Sequence, residues 1–102
     1  MTQPPSFVRS STVRHVGWLE FNRPPVNAFT REMVEETWDA INVALPDPDV
    51  RVLVLASAVD DYFSAGADLN VFKGMKGDAM RGWATRCHEI AGLLRSSPKP
   101  LL

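Results

Sequence analysis

Val50-Arg-Val-Leu-Val-Leu-Ala-Ser57 is a nearly continuous β-branched and aliphatic run. An amphipathic edge strand would alternate apolar with polar residues. A run without alternation suits a strand covered on both faces, as in a parallel sheet. On its N-terminal side, Thr30 is positioned to cap a helix, and Glu32, Glu35 and Glu36 follow near the positive end of the helix dipole. Val34, Trp38, Ile41 and Leu45 recur at helical spacing and are expected to form one apolar face, which Pro46 and Pro48 end. Further back, Phe7 to His15 and Val16 to Asn22 read as two strands joined by a tight turn near Arg14 to Gly17. Leu19 and Phe21 point to one side, and Trp18, Glu20 and Asn22 to the other. Arg23-Pro24-Pro25 stops the second strand, because proline donates nothing to a ladder. Strand, helix, strand in this order predicts a βαβ crossover and an α/β fold.

C-terminal to the run, Val59 to Ala67 reads as a loop. A last helix is expected from a cap at Asp78 to about Ser96, with Met80, Trp83, Cys87, Ile90 and Leu94 as its apolar stripe. Pro98 and Pro100 bracket its exit, and Leu101-Leu102 reads as the first residues of another apolar strand. The N-terminal Thr2 to Ser6 is expected to fray. The start of the chain, Met1-Thr-Gln-Pro-Pro-Ser6, has neither the basic nor the apolar region of a signal peptide.

Composition narrows the possible classes. The chain has 102 residues, 45% hydrophobic and 23% charged, with 11 Lys+Arg against 12 Asp+Glu and a net charge of −1. Such a chain is not a disordered polyelectrolyte. Its balance gives no general reason to bind nucleic acid, and its longest unbroken apolar run, Val52 to Ala56, is far too short for a membrane-spanning helix. The single cysteine, Cys87, excludes an intrachain disulfide, which fits a cytoplasmic location, and is expected as a small buried hydrophobe. His15 and His88 are expected at the surface or satisfied, and Asp60, Asp61 and Glu89 as solvated charges. No metal-ligand spacing, phosphate-binding Gly-Lys loop or triad pattern is present. Charge is unevenly spread: Lys73 to Lys99 holds six basic and two acidic residues, and Glu32 to Asp49 six acidic and none basic. This reads either as two solvated helix faces or as a basic third that attracts a phosphorylated ligand.

The segment richest in chemical meaning is Tyr62-Phe-Ser-Ala-Gly-Ala-Asp-Leu69, a loop of small residues between a buried strand and a helical turn. Gly66 permits backbone angles closed to other residues and lets a ligand approach the chain. With Ala65 and Ala67 beside it, backbone N–H groups can face a pocket unobstructed. Such groups stabilise an oxyanion by about 3–4 kcal/mol per donor in acyl-transfer sites.

Phe63-Ser-Ala-Gly-Ala-Asp-Leu69 resembles the first signature of the crotonase family, the enoyl-CoA hydratases and isomerases. Asn22-Arg-Pro-Pro-Val-Asn-Ala-Phe29, Asp47-Pro-Asp-Val-Arg-Val-Leu-Val-Leu55 and Ser97-Pro-Lys-Pro-Leu101 are similar to other elements of that family, in its order and near its spacing. The resemblance implies an α/β fold, the N-terminal part of a crotonase-like ββα spiral core, with residues 1–102 as one portion of a single domain. It further implies an acyl-CoA substrate. The Ala67 N–H would be one oxyanion-hole donor to the thioester carbonyl. The backbone around Ala65 and Leu69 would border the adenine end of coenzyme A, Gly66 would let the substrate approach the chain, and Asp68 would hold the loop beside the substrate. Arg23, Lys73 and Lys76 would be the candidates to meet phosphates. Pro25 and Asn70 stand where many relatives carry basic residues, so phosphate anchoring is less well marked than the thioester site. Phe72, Met75 and Met80 are candidates for an acyl pocket, with plain core packing as the alternative.

No cofactor is expected beyond the coenzyme A of the substrate, and neither nucleic acid nor membrane is an expected partner. Homo-oligomers, trimers or hexamers, are a property of the full-length family. The implied reaction is hydration of a 2-enoyl-CoA. Isomerisation, or a catalytically incomplete fragment that only binds coenzyme A or a subunit, are the alternatives. In the family the second donor and the glutamates sit in a later Gly-rich segment, which is expected beyond Leu102.

Overall fold

A computed structural model describes residues 6–102; the expected fraying and the leader reading at the N-terminus therefore fall almost wholly outside the described residues. Strand β1 (Val8–Val13) and strand β2 (Val16–Phe21) form an antiparallel hairpin in the register Val8↔Phe21 to Val13↔Val16. Its two-residue turn, Arg14-His15, has φ of 49° and 67°. Positive φ at both central residues is the mark of the turn whose twist matches a hairpin. The His15 carbonyl then accepts the Arg51 N–H at 2.8 Å, tying the turn to the chain entering the third strand.

Helix α1 (Arg31–Ala44) begins as expected: the Thr30 hydroxyl accepts the Met33 N–H at 3.2 Å. Strand β3 (Val52–Ser57) returns parallel to β2, from Val16↔Val52 to Phe21↔Ser57, so β2, α1 and β3 form the βαβ unit read from the sequence. On the other edge of β3, Leu101 forms a parallel bridge to Leu53, and the Leu55 N–H donates to the Leu102 carbonyl at 2.9 Å. The C-terminal leucines thus take up ladder groups of β3.

The core lies between the sheet and α1 and is built from Val8, Leu19, Phe21, Met33, Ile41 and Leu53. This shifts the expected helix stripe. Met33, Val34, Thr37 and Ile41 are buried, whereas Trp38 is only half-buried. Thr37 can join the core because its hydroxyl donates to the Met33 carbonyl at 2.8 Å, leaving no unmet hydroxyl. Trp38 turns instead toward the last helix, where the Arg86 guanidinium lies 4.3 Å from its ring centroid. Gly17 is required by packing: a Cβ there would lie 2.9 Å from Val50 Cγ1. The expectation that the Val50–Ser57 run is covered on both faces also needs correction. Val50 and Leu53 are buried, but Val52, Val54 and Ala56, on the face away from α1, are half-buried among the described residues.

Helix α2 (Gly77–Arg95) differs most from expectation. Its N-cap is Lys76, without a side-chain capping bond, and Asp78 is an exposed first-turn residue 3.5 Å from Arg81. No residue of α2 is fully buried. Ile90, Leu93 and Leu94 pack against the core, while Met80 and Cys87, both expected in the stripe, are exposed. The helix touches the body through its C-terminal half, through Arg86, which bonds Glu35 at 3.0 Å, and through Trp83, whose ring stands edge-on to Phe72. Beyond it, Lys99 Nζ donates to the carbonyls of Asp47 (2.7 Å) and Ala44 (3.3 Å), satisfying groups at the C-terminus of α1.

Candidate functional site

The signature loop is held beside the residues that precede α1. Phe29 and Ala67 form a parallel bridge: the Phe29 N–H donates to the Gly66 carbonyl at 2.7 Å, and the Asp68 N–H donates to the Phe29 carbonyl at 2.9 Å. Nearby, the Ala65 N–H donates to Val26 O (2.9 Å) and the Gly66 N–H to Ser64 Oγ (3.0 Å). The N–H groups of residues 65, 66 and 68 are therefore all taken up. That of Ala67 has no partner among the described residues. Peptide planarity gives its direction. In a trans unit the Ala67 N–H points opposite to the Gly66 C=O, and that carbonyl is pinned by Phe29. The Ala67 N–H is thus aimed away from Phe29. Gly66 makes the turn possible with φ of 98°, and its Cα faces open space.

Two hollows meet at this loop. One, about 380 Å³, is apolar; its walls include Phe21, Phe29, Phe63, Leu55, Trp83 and Ile90, with Ser64, Gly66, Ala67 and Cys87 at the lining. Phe29 and Phe63 stand edge-on to Phe21, with ring centroids 5.1 and 5.6 Å away. The other, about 470 Å³, is bordered by Arg23, Pro24, Pro25, Val26, Ala65, Asp68 and Leu69. Ala67 lines both.

Asp68 is fastened in three ways. Its carboxylate accepts the Asn70 N–H at 2.9 Å, capping the 3₁₀ turn Leu69–Phe72; it pairs with Arg23 Nη1 at 3.0 Å; and its own N–H reaches Phe29. The Asn70 backbone bond, with Arg23 beside it, holds the Asp68 carboxyl below the usual aspartate range, against a smaller opposing effect of burial. The expected buried position of Cys87 is corrected: the residue is exposed at the lining of the apolar hollow, and partial desolvation of its thiol there raises the thiol pKa.

The basic candidates separate. Arg23 is engaged by Asp68 and by the Ala28 carbonyl at 2.8 Å. Lys73 lines a polar hollow of about 490 Å³ together with Arg23, Arg31, Asp68 and Asn70, whereas Lys76 lies outside it at the start of α2. Within the basic third, Arg81 and Arg86 are ion-paired and Lys99 serves α1. Phe72, Met75 and Met80 do not line the apolar hollow: Phe72 packs edge-on to Trp83, Met75 borders the polar hollow, and Met80 is exposed. Among the described residues no carboxylate lines the apolar hollow. His15 is exposed, with Nδ1 3.1 Å from the Asp49 carbonyl, and His88 is exposed. Among the described residues no cluster of three His, Cys, Asp or Glu side chains could hold a metal ion, and no helix is long and apolar enough to cross a membrane.

Sequence reasoning assigned no role to Asn27. It is fully buried with φ of 53°. Its Oδ1 accepts the Arg23 N–H at 2.7 Å, and the two hydrogens of its Nδ2 are shared among Ser57 Oγ (2.8 Å), Phe63 O (3.0 Å) and Phe21 O (3.3 Å). One amide thus joins the ends of β2 and β3 to the signature loop. The available signal was an asparagine at a turn after two prolines, since asparagine tolerates the left-handed region better than other side chains.

These elements define an α/β protein whose small-residue loop presents a backbone donor between two hollows. A profile of the enoyl-CoA hydratase/isomerase family matches residues 11–102, and the chain belongs to that family. It is 30% identical over 88 residues to a "Probable enoyl-CoA hydratase" of Bacillus subtilis (85% of this chain, 34% of that protein). It is 27% identical over 85 residues to a crotonyl-CoA hydratase of Syntrophomonas wolfei (82% and 33%). The solved structure of an enoyl-CoA hydratase/isomerase from Xanthobacter autotrophicus superposes with a TM-score of 0.85 at 28% identity, covering 94% of this chain and 37% of that one, and the fold is that of the crotonases. The chain spans about a third of the length of the curated relatives it matches.

Proposed function

We propose that this chain binds a 2-enoyl-CoA thioester and polarises its carbonyl through the Ala67 N–H, in the service of a hydratase reaction. The carrying observation is that Ala67 has the one unpartnered N–H of residues 65–68 and stands where the two hollows meet. In this reading the apolar hollow, with Phe29, Phe63 and Trp83, receives the acyl chain. The hollow beside Arg23, Pro25, Ala65 and Leu69 receives the coenzyme A portion, with Arg23 as the cation on its lining; Lys73 lines the neighbouring polar hollow, which shares Arg23 and Asp68, and Lys76 follows it in the chain. A donor fixed before charge develops stabilises the enolate-like oxygen without reorganising. The names of the curated relatives support hydration over isomerisation, since one is named a "Probable enoyl-CoA hydratase" and the other a crotonyl-CoA hydratase.

A second reading has the chain bind the thioester without turning it over. It is compatible with the apolar hollow, whose lining holds no carboxylate among the described residues. Incubation of residues 1–102 with crotonyl-CoA separates the two. Loss of the enoyl absorbance supports hydration. Saturable binding without that loss supports the binding reading. No binding of crotonyl-CoA or coenzyme A at millimolar concentration overturns both.

A further inference from the structure

We infer that Ser64, together with the buried Asn27, is the positioning residue that aims the Ala67 N–H; the inference rests on the thioester reading of Ala67. Gly66 is the joint between two peptide planes and, with no Cβ, it resists rotation of neither. The plane carrying the Ala67 N–H is gripped at the Gly66 carbonyl by Phe29 (2.7 Å). The preceding plane is gripped at the Gly66 N–H by Ser64 Oγ (3.0 Å). The Ser64 hydroxyl proton is in turn directed to the Asn27 carbonyl at 2.8 Å, so this one hydroxyl both donates and accepts. Asn27 is the fixed end of the chain of bonds, because its buried side chain is tied to Arg23, Ser57 and Phe63. The series Asn27 carbonyl, Ser64 hydroxyl, Gly66 N–H therefore fixes one side of the Gly66 joint while Phe29 fixes the other, and the two together set the Gly66 torsions and the direction of the donor one residue on. Neither Ser64 nor Asn27 needs to touch the substrate for this.

The test compares two ligands that differ at one oxygen. Butyryl-CoA carries the thioester carbonyl, and S-butyl-CoA has a methylene in its place. The expected result is that the wild-type chain prefers the thioester, that Ser64→Ala lowers this preference by about tenfold, the weight of one ordinary hydrogen bond, and that Ser64→Thr, which keeps the hydroxyl, restores it. A purely structural role would weaken both ligands together and leave the ratio unchanged. Independently of any ligand, ¹⁵N relaxation at Ala67 should show an order parameter of about 0.85 in the wild type and below about 0.6 in Ser64→Ala. If the ratio and the Ala67 amide are both unaltered in Ser64→Ala, the inference is overturned while the thioester reading stands. If the wild-type chain binds both ligands equally, or neither, the thioester reading falls, and the relaxation measurement alone decides whether Ser64 holds the donor.

Discussion

Arg23 Nη1 lies 3.0 Å from Asp68 Oδ2 and 2.8 Å from the Ala28 carbonyl oxygen, so one nitrogen spans the turn after β2 and the end of the signature loop. The two segments are 45 residues apart in sequence but form adjacent walls of one site. Asp68 answers with a second commitment, capping the 3₁₀ turn through the Asn70 N–H. The pair therefore acts on the placement of residues 65–69 as a group.

Asp68 makes the loop sensitive to acid. Its carboxyl titrates below the usual range, chiefly through the Asn70 backbone bond and then through Arg23. A group whose folded-state pKa is depressed contributes stability that is present above its unfolded value and is lost as pH falls through its folded value. The advantage of the wild type over Asp68→Asn should be constant from pH 7 to about 5 and shrink below about pH 4. Thermal melts of the two proteins across that range measure it; an advantage that persists undiminished at pH 2.5 contradicts the assignment.

Gly66 and Gly17 should fail for different reasons when changed to alanine. Gly66→Ala meets no atom within 4 Å but must adopt φ of 98°, at a cost of about 1–2 kcal/mol. Gly17→Ala keeps an ordinary backbone but drives a methyl to 2.9 Å from Val50 Cγ1, a clash of about 1–3 kcal/mol. Adding Val50→Ala should recover part of the Gly17→Ala loss and none of the Gly66→Ala loss. Urea unfolding of the two double-mutant cycles gives the coupling directly.

Asn27 should be among the least replaceable residues. Asn27→Leu leaves the Arg23 N–H and the Phe63 carbonyl without their partner and places a bulky side chain in the left-handed region. The expected loss is at least about 3 kcal/mol. Asn27→Gly removes only the backbone strain, so it should recover no more than about 1 kcal/mol of that loss. Equilibrium unfolding of both variants tests the order.

Arg86 couples α2 to α1 through the Trp38 ring and Glu35. Arg86→Met should cost about 1 kcal/mol overall, since the ion pair is partly exposed and the cation–π contact is the larger share. Its clearer effect is local: backbone amides of α2 from Trp83 to Glu89 should exchange faster with solvent, while those of β2 and β3 stay protected. Uniform acceleration across both regions would show that Arg86 supports global stability instead.

Replacing Arg14-His15 with Asn-Gly should stabilise the hairpin. Both positions have positive φ, which Asn and Gly adopt more readily, so a gain of about 0.5–1 kcal/mol is expected. The His15 carbonyl that accepts Arg51 N–H is main chain and survives the change. A rise in melting temperature checks this.

Much of the architecture follows from local pattern. The alternation around Leu19 and Phe21, the Thr30 cap, the prolines after α1 and the apolar run from Val52 are short-range features, and each one specifies its element without help from the rest of the chain. The signature loop was legible as a small-residue turn, and its likeness to a family indicated the chemistry. What local pattern could not decide was which side of each helix would find a partner. Trp38, Met80 and Cys87 fit helical stripes as well as Ile41 and Ile90 do, yet burial depends on where the sheet ends and how α2 crosses it. The same holds for the site. That Asn27 would be buried, that Arg23 would be engaged by Asp68, and that Ala67 alone among its neighbours would keep its N–H unpartnered all depend on bonds between segments about 30 to 45 residues apart. The residue types are written in the sequence. The direction of a single backbone N–H is decided only when Phe29 and Ser64 fix the peptide planes on either side of Gly66.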